Sequence, residues 1–166
     1  MHSYEKKKCY NVLIDSANGT TTGIRGVARQ TYNFDFNLLP DVPMKMTYEF
    51  VCNAIDFIDG QKQALLSVGL GQSSNFQVGT GTGARTTQVI GQLYTETVGE
   101  DNSGGHLFMG LKAKRSDVVA TYFYGRPQIG SNFEVKIEDE LGNEFIGDSV
   151  SDTIDNYILI LHFEEV

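Results

Sequence analysis

At 166 residues, with 40% hydrophobic, 11% aromatic and 20% charged residues, the chain has the size and make-up of one globular domain. Thirteen Lys and Arg against 21 Asp and Glu leave a formal charge of −8, which is repelled by phosphate backbones and anionic membranes and argues against nucleic acid as a partner. Eighteen glycines beside three prolines and no tryptophan suit the many short turns of an all-β domain, and two cysteines are too few for a disulfide scaffold.

The opening "MHSYEKKKCYNVLID" has no apolar segment after its charges, so no signal peptide is expected and assembly inside a cell is the reading; the sequon at Asn18 then carries little meaning. Lys6, Lys7 and Lys8 read as a solvated basic cluster. "CYNVLID" is a first strand candidate, and the Gly- and Thr-rich "SANGTTTGIRGVARQ" after it suits an arm that orders on contact with a neighbour. Residues 1–30 are therefore expected as an N-terminal strand or arm and residues 31–166 as the main domain.

Clear period-two patterning starts at "TYNFDFNLLP", where Tyr32, Phe34, Phe36 and Leu38 face one way. After Pro40 and Pro43, "KMTYEFVCNA" turns Met46, Tyr48, Phe50, Cys52 and Ala54 inward, and the phase slips at Ile55, where a bulge or strand end is expected. "ALLSVGLG" puts Leu66, Val68 and Leu70 in phase, and "QVIGQLY", "HLFMGLK" and "VVATYFY" follow as strands. "NFEVKIED" sets Phe133, Val135 and Ile137 against Glu134, Lys136 and Glu138, and the chain finishes on "YILILHF". No segment holds a 3.6-residue apolar period over three turns, and no repeat of 20–50 residues is visible, which leaves a sandwich or a barrel. Both cysteines, Cys9 and Cys52, sit in strand-like alternation and are expected to be buried and reduced.

Catalytic frames do not materialise. Gly79, Gly81 and Ala84 satisfy the dinucleotide fingerprint, but Arg85 to Ile90 favour a strand where a phosphate-binding loop must open a helix. His2, His106 and His162 lack the spacing that brings two imidazoles to one metal, so no metal and no cofactor is expected, and the paired-histidine motif of cupins is missing. Asp56 with Asp59, and the run Glu138, Asp139, Glu140 and Glu144 around Gly142 and Asn143, fit no calcium loop; the second group reads as the charged tip of a connection. No nucleophile elbow occurs, and no catalytic residue is assigned. Tyr4, Tyr94, Tyr122 and Tyr124 are the rings available for a carbohydrate platform, a role tryptophan fills best.

The final run is too apolar for a strand with one wet face. Tyr157, Leu159, Leu161 and Phe163 are expected to line the core, and Ile158 and Ile160 to face the other way under a different cover. Ile158 and Ile160, with Val119 of "VVATYFY", are the candidate subunit-interface residues; His162 is expected on the same outer face, toward solvent or a partner.

The segments "YFYGRPQIGSNFEVKIEDELGNEF" and "DNYILILHFEEV" resemble the small single jelly-roll capsid proteins of large icosahedral double-stranded DNA viruses and virophages, over roughly the last 50 residues by motif and elsewhere by strand count. The resemblance implies a single jelly-roll β-sandwich of two four-stranded antiparallel sheets, with an additional N-terminal strand at 9–14. It places the last strand between the first and third of eight strands counted from 31–38. It further implies a non-enzymatic virion protein, a pentameric capsid vertex or minor capsid subunit that contacts itself and a neighbouring major capsid protein. No nucleic acid and no direct membrane insertion are implied. A carbohydrate- or receptor-binding sandwich is the alternative, and a secreted trimeric signalling ligand of the tumour-necrosis-factor kind is disfavoured by the lack of a leader.

Overall fold

The computed structural model describes residues 7–24, 26–52, 55–56, 63–70, 89–100, 107–113, 120–127, 129, 131–139, 142–145, 154 and 156–166. All regular structure in them is antiparallel β apart from two short 3-10 turns, and it forms a β-sandwich. The strands are β1 (Cys9–Asp15), β2 (Thr20–Thr21), β3 (Arg29–Asn33), β4 (Met44–Cys52), β5 (Ile55–Asp56) and β6 (Gln63–Val68). They continue as β7 (Val89–Glu100), β8 (Leu107–Ala113), β9 (Thr121–Phe123), β10 (Asn132–Glu138) and β11 (Tyr157–Glu165).

One sheet has four strands in the order β1-β11-β4-β9. The other runs β8-β7-β6-β10-β3, with the two-residue β2 on its β3 edge. Among the described residues the sheets are linked through β8, which meets β4 at the pair Val51↔Lys112 and also pairs with β5. The last strand lies between β1 and β4, and the strand beginning at Arg29 belongs to the opposite sheet. This corrects the expectation that β11 sits between the strands near 31–38 and 64–71. Alternation tells which side chains face inward but not which strand is the neighbour.

The inward phase is read correctly along most of the chain. Met46, Tyr48, Phe50 and Cys52 of β4, Leu66 and Val68 of β6, Phe133, Val135 and Ile137 of β10, and Tyr157, Leu159, Leu161 and Phe163 of β11 are all buried. Segment 31–38 departs from the expectation. Asp35 accepts a hydrogen bond from the backbone N–H of Asn37 and caps a 3-10 turn over Phe36–Leu38, so the strand stops at Asn33. An Asx cap competes with the ladder wherever a short acidic side chain can reach the backbone two residues on. Phe36 still packs edge-on against Phe133 and Phe163, whereas Leu38 turns out to solvent.

Phase also slips within β7, where Leu66 faces Gly91 and Ser67 faces Val89, leaving Ile90 as the extra residue of a bulge. The expected slip at Ile55 coincides with the end of β4 at Cys52 and the separate two-residue β5. Cys52 is buried, but Cys9 is exposed at the start of β1, against the expectation that both thiols are enclosed. Residues 71–88, which carry Gly79, Gly81 and Ala84, lie outside the described residues, as do Tyr4, His2, His106 and Val119.

Buried hydroxyls join the two sheets. Tyr32 of β3 and Tyr157 of β11 share a 2.6 Å O–H···O contact, and Tyr32 also donates to Gln30 Oε1 at 2.6 Å. Gln30 Nε2 in turn donates to the Ser16 carbonyl, and Ser16 Oγ accepts from the Tyr157 backbone N–H at 2.9 Å. Every polar group in this chain of contacts has a partner, so burying it does not carry the penalty of an unpaired dipole. Loss of water around the phenols pushes the Tyr32 hydroxyl up to about 12 and raises that of Tyr157 as well.

Candidate interaction face

Odd-numbered side chains of β1 and β4 and even-numbered ones of β11 leave the core and form the outer face of the four-stranded sheet. Register sets them in rows: Leu13, Ile160 and Glu49; then Asp15, Ile158 and Val51. Leu13 is 65% exposed, Val51 54% and Ile158 41%, with Ile160 half-buried between its neighbours. Four aliphatic side chains thus lie side by side on a face that would ordinarily be polar. The two β11 residues singled out in the sequence, Ile158 and Ile160, are brought together here, while Val119 lies outside the described residues.

Leu13 and Val51 were not singled out from the sequence, although the signal for both was present. Val12 and Ile14 are the inward pair of "CYNVLID", which leaves Leu13 outward, and Val51 occupies the outward phase of Lys45, Thr47 and Glu49. Each looks ordinary alone. Only strand pairing places them beside Ile160 and Ile158.

Toward the other end the same face becomes polar. Asn11, His162 and Thr47 form the next row, with Asn11 Oδ1 2.7 Å from His162 Nδ1 and Glu49 Oε1 3.4 Å from His162 Nε2. His162 therefore points outward, as its phase predicted. Cys9, Glu164, Lys45 and Tyr122 form the last row. Tyr122 and Tyr124 are both exposed, the latter at 96%. Tyr94 is half-buried and donates to Gln92 Oε1.

The opposite sheet carries charge. Glu134 of β10 binds Arg29 of β3 and lies 3.1 Å from Lys136. Burial alone would raise its pKa, but the hydrogen bonds from Arg29 and Lys136 hold it below the usual carboxylate range. In the acidic connection after β10, Asp139 accepts from the Asn143 backbone N–H at 2.7 Å across a turn where Gly142 takes φ 78°. Glu138 of that run is buried rather than part of an exposed tip, because it bridges back to Glu144. Glu144 also receives the Ile24 backbone N–H. The carboxylates of Asp139 and Glu144 hold backbone together, and among the described residues no group of three or more His, Cys, Asp and Glu is placed to hold a metal ion.

No family model matches this sequence, and no curated protein matches it either. A functional reading therefore rests on the strand order of the two sheets and on the outer face of the four-stranded one.

Proposed function

We propose that this chain is a structural virion protein, a single jelly-roll subunit of an icosahedral capsid that assembles as a pentameric vertex beside a neighbouring major capsid protein. The observation that carries the reading is strand order. A jelly roll folds eight strands so that one sheet contains the first, eighth, third and sixth and the other the second, seventh, fourth and fifth. With β1, β3, β4, β6, β7, β9, β10 and β11 as the eight, β1-β11-β4-β9 and β3-β10-β6-β7 reproduce both orders. In this assignment the strand additional to the eight is β8, and β1 is a full member of the fold.

Support for an assembling role comes from the aliphatic rows on the outer face, since a sheet surface of this kind needs a cover that the described residues do not supply. Function by assembly alone requires no catalytic residue and no cofactor. Closed rings arise from repeated heterologous contacts between identical subunits. Native mass spectrometry of the purified chain, and cryo-EM of the particle it assembles into, test the proposal. A ring of five chains supports it, and a clean monomer at micromolar concentration would count heavily against it.

A second reading, a carbohydrate- or receptor-binding sandwich, is favoured by the exposed Tyr122 and Tyr124. It requires saturable glycan binding that Tyr122→Ala and Tyr124→Ala abolish. A glycan array without hits, together with a stable ring, removes it.

A further inference from the structure

Sheet edges differ sharply in how well they are protected. β9 spans three residues and β2 only two, and short edges offer little ladder to a passing strand. β1 is different: it runs for seven residues, pairs with β11 without a register shift, and ends the strand order with no partner on its other side among the described residues. It contains no proline, and no charge before Asp15. The usual devices that keep an edge from pairing, such as lysines, prolines and bulges, are all missing from Cys9 to Ile14.

The direction of the free backbone groups follows from two hydrogen bonds. Glu165 N–H donates to the Lys8 carbonyl, and Val166 N–H donates to the Pro43 carbonyl. In an antiparallel ladder alternate residues point their N–H and C=O to the same side. Lys8, Tyr10, Val12 and Ile14 therefore face β11, and Cys9, Asn11 and Leu13 direct their backbone groups out from the edge.

We propose that this edge pairs with the β1 strand of a second copy of the chain, antiparallel and with Asn11 opposite Asn11 on a two-fold axis. In that register Cys9 lies opposite Leu13 of the other copy, so the three outward residues of each strand meet as hydrogen-bonded pairs. The same register sets Asp15 opposite the exposed Lys7 of the other copy, once at each end. Two opposite-charge pairs thus flank an uncharged centre, which matters for a chain that carries −8 overall. The two four-stranded sheets become one eight-stranded sheet, and Leu13 gains an apolar-compatible neighbour in Cys9. A two-fold contact of this kind is isologous and independent of any five-fold ring built elsewhere on the domain.

The test is a charge swap followed by sedimentation velocity over a dilution series. Wild-type chain is expected as a dimer or an even multiple. Lys7→Glu and Asp15→Lys singly should each weaken that contact roughly tenfold, and the double variant should restore it. Asp15 also caps the following turn by accepting from Ala17 N–H, and because both D15K chains lose that cap, rescue by K7E reads the interface alone. Hydrogen exchange supplies a second readout: amides of Tyr10, Val12 and Ile14 should be protected at every concentration, those of Cys9, Asn11 and Leu13 only where the dimer is populated. A monomeric wild type, a swap without rescue, or free exchange at all three outward amides in the oligomer overturns the proposal. A five-chain ring untouched by the swap leaves the vertex reading standing while removing this contact.

Discussion

Tyr48 of β4 reaches across the sandwich into space left by the missing side chain of Gly91 on β7. A Cβ at Gly91 would lie 2.6 Å from Tyr48 Cε1 and closer still to Cζ and the hydroxyl. Because Gly91 sits beside the Ile90 bulge, the bulge and the glycine together give the phenol its room.

Replacing Gly91 with Ala should therefore destabilise the fold by roughly 1–3 kcal/mol, the usual range for overpacking a dense core. In a Tyr48→Ala background the same change should cost little or become favourable, since glycine in a strand is otherwise worse than alanine by about 0.5–1 kcal/mol. A double-mutant cycle in urea measures the coupling, and additivity of the two changes would show that the contact does not govern the site.

The shared phenol contact between Tyr32 and Tyr157 makes the fold sensitive to alkali. Both hydroxyls are raised above the ordinary tyrosine value, Tyr32 to about 12, chiefly because burial disfavours the phenolate. A raised folded-state pKa means that stability is intact below the unfolded value near pH 10 and falls as pH climbs from 10 toward 12. Thermal melts at stepped pH should show this loss, and Tyr32→Phe should reduce its steepness while costing stability at neutral pH through an orphaned Gln30 Oε1.

How much of this was legible beforehand depends on the range of the interaction. Period-two alternation identified the inward residues of β4, β10 and β11 because burial on one face acts locally along a strand. Leu38 was misplaced because a two-residue Asx contact from Asp35 overrode the pattern, and an acid within an alternating run gives no notice of which role it takes. The neighbours of β11 were not legible, since pairing joins Leu13 to Ile160 across nearly the whole chain. For the same reason Ile158 and Ile160 were recognised as surplus to the core, whereas the rows they form with Val51 and Leu13 emerged only from register.

Acid should act through Glu134. Its pKa is lowered from 4.5 by Arg29 and Lys136 against the opposing effect of burial, so its contribution is present above that value and is lost as pH falls through the folded-state pKa. Arg29 is partly exposed, which screens the pair and keeps the effect small. Glu134→Gln should flatten stability against pH below 4.5 without altering its shape near neutrality, as read from denaturation midpoints; an unchanged acid limb would place the responsible carboxylate elsewhere.

The two faces of β11 separate folding from assembly. Leu159 is fully buried between β1 and β4, and Leu159→Ala should cost about 2–5 kcal/mol, visible in any denaturation experiment. Ile158 is 41% exposed and Ile160 half-buried, so Ile158→Ser and Ile160→Ser remove less core and should leave the melting transition within a few degrees of wild type. Their effect belongs to the partner: a polar hydroxyl in each aliphatic row should lower the oligomer mass seen by light scattering at concentrations where wild type is assembled. The contrast is what decides, because a serine variant that unfolds as readily as Leu159→Ala would mean the outer face contributes to the fold of the single chain. A serine variant that stays folded and fully assembled would mean that this face is not where subunits meet.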